Sequence, residues 1–226
     1  MPVTYTVKEI YAPTDSSDIK AVILEDGLGG FIHVRARNVA DGLCKEDDIV
    51  KVIRRMKPED VYPPVLDSDV VPDATGDLYF KDVRLVKSNP WKFNTVCSVR
   101  REIIALSELK HPNIVRLHGV FVENGLVKGL YTDKYDLTLK QVLENGIEFD
   151  RIKFFQHLLK ALWYIRQSIF VHGALKETCI MVKKEDPSFP YIVNFDACEK
   201  AGTMMIETTK TFGEAKSDII SYGCDF

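Results

Sequence analysis

The residue types best suited to chemistry cluster late in the chain, in FVHGALKETCIMVKK (170–184) followed closely by YIVNFDACEKAG (191–202), which bring His172, Lys176, Cys179, Asn194 and Asp196 into one short region. Five cysteines, at 44, 97, 179, 198 and 224, are scattered without a CxxC or a Cys/His cluster. That odd, dispersed set suits neither a disulfide framework nor a zinc site, so reduced thiols are expected and no metal site is read from them. Cys179 and Cys198 read as small core residues rather than nucleophiles, since free cysteine is mostly buried and inert. Asp196 reads as a turn aspartate. Lys81, at a strand end, is by type alone either a solvated cation or a phosphate ligand, and the alternatives stay open.

These side chains need a scaffold, and the composition allows one. The chain has 226 residues, 46% hydrophobic and 28% charged, with a net charge of −3. Such values exclude disorder and collagen-like repeats, and no block of like charge makes a nucleic-acid arm. No basic stretch leads into an apolar leader, and no apolar run approaches the roughly 18 residues of a membrane span. A soluble cytoplasmic protein is therefore expected, with the nucleus as the alternative, and neither nucleic acid nor membrane as a partner.

The elements read as follows. AVILED (21–26) and FIHVRA (31–36) flank Gly27-Leu28-Gly29-Gly30 as a β-hairpin. KEDDIVKVIRRM (45–56) places Ile49, Val52, Ile53 and Met56 at helical spacing, acids early and Arg54 and Arg55 late, and predicts a short helix. PEDVYPPVLDSDVVPDATG (58–76) reads as an extended connector. A strand over 78–86 and a helix from about 95 to 109 follow, and HPN at 111–113 ends that helix. Strands over 114–122 and 126–135 turn at Glu123-Asn124-Gly125, a hairpin signal. Helices are predicted to end at Gly146 and to span 151–167 with Asp150 as N-cap, and short strands over 179–182 and 191–195 close the pattern. The fold class is α+β, in three parts: an N-terminal hairpin-and-helix extension (1–68), then 69–133 and 134–226.

The order of several landmarks resembles the protein kinases. His172 to Cys179 stands against H-R-D-L-x-x-x-N, and Asn194-Phe195-Asp196 against D-F-G. LYFK ending at Lys81 stands where V-A-I-K would, Glu102 follows in the next helix, HPNIV (111–115) follows that helix, and KSDIISYG (216–223) resembles K-S-D-V-W-S-F-G. The likeness is closest to small fungal kinase-like proteins, whose metal turn reads I-I-D-F-D-S-C, and it does not reach residues 1–68. It implies a two-lobed fold with a partial second lobe, because the chain stops soon after Asp218, and a protein partner covering the incomplete lobe.

The resemblance also assigns roles. Lys81, Glu102 and Asn194 take the nucleotide-binding positions, Lys81 and Glu102 as an ion pair. His172, Phe195, Leu106 and Asp218 take structural ones. The chemical positions are altered together: Ala174 cannot accept a hydroxyl proton, while Cys179 and Asn194 replace oxygen-rich Mg²⁺ ligands with a thiol and a neutral amide. Lys176 matches a γ-phosphate lysine but reads as a surface residue. Gly27–Gly30 lies too far before Lys81 to be its Gly-rich loop and reads as a hairpin turn. The expected function is a pseudokinase that acts as a binding scaffold, with no catalytic residue, ATP as the only cofactor left open and Mg²⁺ undermined. Two alternatives remain, a weak atypical ATP-dependent kinase and an interaction module that binds no nucleotide.

Overall fold

The computed structural model describes residues 4–11, 19–25, 30–39, 42–66, 69, 77–83 and 95–201. The architecture is mixed α+β, with several antiparallel sheets and, among the described residues, three α-helices. The chain divides into two compact units: Met1–Ser68 with Asp82–Cys97 and Phe121–Gly129, and Asp69–Lys81 with Ser98–Val120 and Leu130–Phe226.

In the first unit, β1 (Thr4–Tyr11), β2 (Lys20–Glu25), β3 (Phe31–Ala36), β4 (Leu43–Lys45) and β5 (Ile49–Met56) form an antiparallel sheet in the order β4-β1-β2-β3-β5. The outermost strands β4 and β5 are joined by a single 3₁₀ turn, Glu46–Asp48. Four strand spacings in a flat sheet measure about 19 Å, whereas three 3₁₀ residues advance only about 6 Å. The sheet must therefore curl until its edges approach, with Val22, Leu24, Ile32, Val34, Ala36 and Cys44 packed together as its core. The expected hairpin is present as β2 and β3, with Val22 opposite Val34 and Leu24 opposite Ile32. Its turn, residues 27–29, lies outside the described residues.

The helix expected over 45–56 is instead the end of β4, the 3₁₀ turn and β5. The register shows why the sequence misleads. Across β3 and β5, Ala36 faces Ile49 and Arg35 faces Lys51, then Val34 faces Val52 and His33 faces Arg54. Val50 and Ile53 are thus extra residues on β5, two bulges that break the two-residue alternation. They leave Ile49, Ile53 and Met56 as the less exposed positions of the strand, at spacings of four and three. The N-terminal segment is accordingly a sheet and not a hairpin with a helix. The expected extended connector is also partly packed chain. After the 3₁₀ turn Pro58–Asp60, Val61 is buried with Ile23 and Phe31. Val65 N–H donates to Gly125 O and Val127 N–H to Pro63 O, each at 2.9 Å; proline lacks a donor, but its carbonyl still accepts.

A second sheet runs in the order β6-β8-β7, from β6 (Leu78–Asp82), β7 (Leu117–Glu123) and β8 (Leu126–Asp133). Asn124 and Gly125 have φ of 52° and 75°, the positive pair a type I′ hairpin turn requires. α1 (Thr95–Glu108), which belongs to the second unit from Ser98 on, is joined there by β9 (Leu137–Thr138), α2 (Leu139–Glu144), α3 (Arg151–Gln167), β10 (Phe170–Val171), β11 (Ile180–Lys183), β12 (Asp186–Ile192) and β13 (Glu199–Lys200). Two of the helices, α2 and α3, start on side-chain caps. Thr138 and Gln141 form a capping box on α2, and the Asp150 carboxylate accepts from Lys153 N–H at 3.0 Å on α3. α3 turns Phe154, Leu158, Ala161 and Ile165 inward onto a core that includes Leu106, Val182, Ile192 and Phe195. β12 carries Pro187 and Pro190 between Asp186 and Tyr191, the stretch where its register with β11 shifts, and proline is tolerated at such irregularities.

Candidate functional site

Lys81 comes from β6 and Glu102 from α1, and the two meet. Lys81 Nζ lies 2.7 Å from both Glu102 carboxylate oxygens and 3.2 Å from Asn194 Oδ1. An ammonium has three N–H donors and no acceptor, so this arrangement engages all three. The Glu102 side chain is 4% exposed and that of Lys81 27%. A carboxylate so buried requires a paired cation.

Asn194 is held by the backbone before it. Val193 N–H donates to Cys179 O, Ile192 N–H to Asn113 O, and Val115 N–H to Ile192 O, each at 2.9 Å. The buried Asn113 side chain donates to Pro190 O at 2.8 Å. The HPN stretch thus anchors the strand that leads into Asn194 as well as ending α1, a role its residue types alone do not disclose. Asn194 itself is left-handed, with φ 64° and ψ 67°, a region asparagine tolerates better than most residues. The 3₁₀ turn Phe195–Ala197 follows and holds Asp196.

His172 is buried beside this turn. Its ring stacks on Phe195 with centroids 4.7 Å apart, and Nε2 lies 3.0 Å from Val193 O. A carbonyl only accepts, so Nε2 carries the proton. Burial lowers the pKa of His172 below its ordinary value, against the opposing pull of the Val193 carbonyl and the charges of Asp196 and Glu102; the ring is therefore neutral at pH 7. Leu106, one helical turn from Glu102, and Phe195 are both fully buried members of one apolar cluster.

The loop between His172 and Cys179 offers little to a reaction. Ala174 and Lys176 are exposed, and the buried Cys179 thiol donates to Ala174 O at 3.4 Å, so it closes the loop on itself. Gly173 has φ 75°, and a Cβ built there would overlap the Ala197 carbonyl oxygen. Burial pushes the Cys198 thiol up to about 11, which leaves it protonated and unreactive at neutral pH.

The structure therefore brings together Lys81, Glu102 and Asn194, and separately His172 with Phe195. Asp218 and Gly27–Gly29 lie outside the described residues. Sequence reasoning did not single out Asn113, nor the pair of Arg100 with the buried Asp69, which meet at 2.8 Å, nor Arg101 with Glu199, also at 2.8 Å. Arg100 and Arg101 read only as the polar side of an amphipathic helix, and the partner of each lies far off in sequence. Among the described residues no group of three or more His, Cys, Asp or Glu side chains could hold a metal ion. No protein-family model matches the chain.

Proposed function

We propose that this protein is a kinase-like domain without phosphotransfer activity, acting by binding. The observation that carries the reading is the three-way contact of Lys81. The cation meets a buried carboxylate from the following helix, as a phosphate-aligning lysine does, yet its third donor rests on a neutral amide where the reaction needs a metal-binding carboxylate. Ala174 supplies no base, and the Cys179 thiol is turned into its own loop. Elements that only hold shape are intact, namely the ion pair and the His172–Phe195 stack.

The test is γ-phosphate transfer from ATP, to the protein itself and to a generic substrate, with Mg²⁺ or Mn²⁺. No transfer is expected. Phosphorylation that survives purification and is lost in Lys81→Ala would sink the proposal. ATP titrated in a thermal-shift assay then separates modes of binding, since a ligand at about 100 times its Kd stabilises the folded state by about 2.7 kcal/mol. A metal-independent shift is expected of a nucleotide-binding pseudokinase. The full engagement of Lys81 favours a second reading, an interaction module without nucleotide, for which ATP produces no shift.

A further inference from the structure

α3 shows two faces. One is packed in the core, while the other carries Ile152, Phe155, Leu159 and Trp163 at 74%, 55%, 62% and 56% exposure. Those residues recur at spacings of three and four and so form one stripe. Leu159, Lys160, Leu162, Trp163 and Arg166 line a shallow depression of about 460 Å³ along it, and the Arg166 guanidinium lies 5.2 Å from the Trp163 ring centre. A contiguous exposed apolar stripe is the kind of surface that serves as an interaction site.

The charges carried by the helix itself point to the kind of partner. α3 contains Arg151, Lys153, Lys160 and Arg166 and no Asp or Glu, in a chain whose net charge is −3. Lys153 is engaged by Asp186 at 2.8 Å, while Arg151 and Lys160 are exposed on the same helix as the stripe. From Ile152 to Trp163 the stripe runs about 16 Å, or three turns, the length over which a partner helix presents anchors at i, i+3 or i+4, and i+7. A second copy fits poorly. Pairing of two α3 helices would set side by side two helices that each carry four cations and no carboxylate, and opposed like charges disfavour association.

We infer that the exposed face of α3 docks an amphipathic helix of another protein whose apolar stripe is flanked by Asp or Glu. This deepens the binding role proposed above and rests on it. ATP plays no part in the test, so failure here leaves the phosphotransfer and nucleotide results standing, and the reverse holds too.

The experiment displays a library of helices of about 18 residues, with a fixed leucine stripe and flanking positions drawn from Glu, Lys, Gln and Ser, and selects on the full chain. Glu should be enriched at the flanks, selected peptides should bind more weakly as salt is raised, and Leu159→Glu should weaken them at least about tenfold with its circular dichroism unchanged. Enrichment of neutral or basic flanks, no enrichment at all, or binding indifferent to Leu159→Glu overturns the inference. So does a dimer that Leu159→Glu dissociates, which makes the occupant a second copy. Acrylamide quenching in a Trp91→Phe background supplies one more check. Trp163 shielded in the free monomer would mean that the chain covers this face itself, and would also overturn it.

Discussion

Glu102 is a carboxylate almost wholly removed from water, and Lys81 is the cation that makes this tolerable. Replacing the lysine leaves a buried charge held only by its remaining neighbours, whereas replacing both partners removes the problem along with the pair. Lys81→Met should therefore destabilise the protein by about 2 kcal/mol, moderated by the partial exposure of the lysine, and Lys81→Met with Glu102→Gln should cost less than the two single changes summed. Urea unfolding of all four members of the cycle measures this; strict additivity would show that the pair carries no coupling. Gly173 makes a second residue-scale case. Its positive φ is strained for any L side chain, and a Cβ collides with the backbone of Ala197, so Gly173→Ala should cost about 2 kcal/mol or more by denaturant midpoint. Of the residues in the site, sequence order was enough to pair Lys81 with Glu102. It could not supply Asn113 or Asp69, because a hydrogen bond or ion pair across a fold leaves no local pattern in either segment.

At the level of elements, legibility followed the strength of the local signal. α3 matches its expected span because an N-cap and a four-residue apolar repeat coincide there. Asp150→Ala should accordingly cost about 1 kcal/mol, with Asp150→Asn recovering most of it, since either oxygen can accept from Lys153 N–H. Thermal unfolding followed at 222 nm checks both variants, and a silent Asp150→Ala would mean that packing alone sets the start of the helix. β5 is the opposite case. Its two bulges imitate helical periodicity in a segment whose β-branched content, Ile49, Val50, Val52 and Ile53, favours a strand. Pairing with β3 decides the outcome, and pairing is a long-range fact. The connector misled for a related reason. Prolines mark chain that cannot donate, but Val61 still buries its side chain, Tyr62 packs partly buried against the same cluster, and the Pro63 carbonyl still accepts.

Across the whole molecule the titratable groups set a stability optimum. His33, His111 and His172 all have pKa values below the ordinary 6.5, burial being the first cause in each case. Between its depressed value and 6.5 such a group binds more protons unfolded than folded, so stability rises with pH there. The contribution is present above 6.5 and is lost as pH falls through the folded values, at up to about 1.4 kcal/mol per pH unit for each proton involved. Asp186, held below 3.8 by Lys153, adds its loss only in stronger acid. On the alkaline side the sign reverses. The thiols of Cys44 and Cys198 are raised above 9.0, and the Tyr62 hydroxyl to about 12, chiefly by burial. The unfolded chain therefore ionises first, and stability declines above pH 9; Lys110 and Lys128, each lowered from 10.5 chiefly by desolvation, offset part of this. Urea midpoints should thus be highest between pH 7 and 9, fall measurably by pH 5, and fall less steeply in His172→Gln, which removes one of the three rings whose pKa is lowered. A midpoint that stays level from pH 7.5 to 5 would show that these histidines can accept protons in the folded state, and so that their surroundings open to water far more readily than the packing of His172 against Phe195 implies.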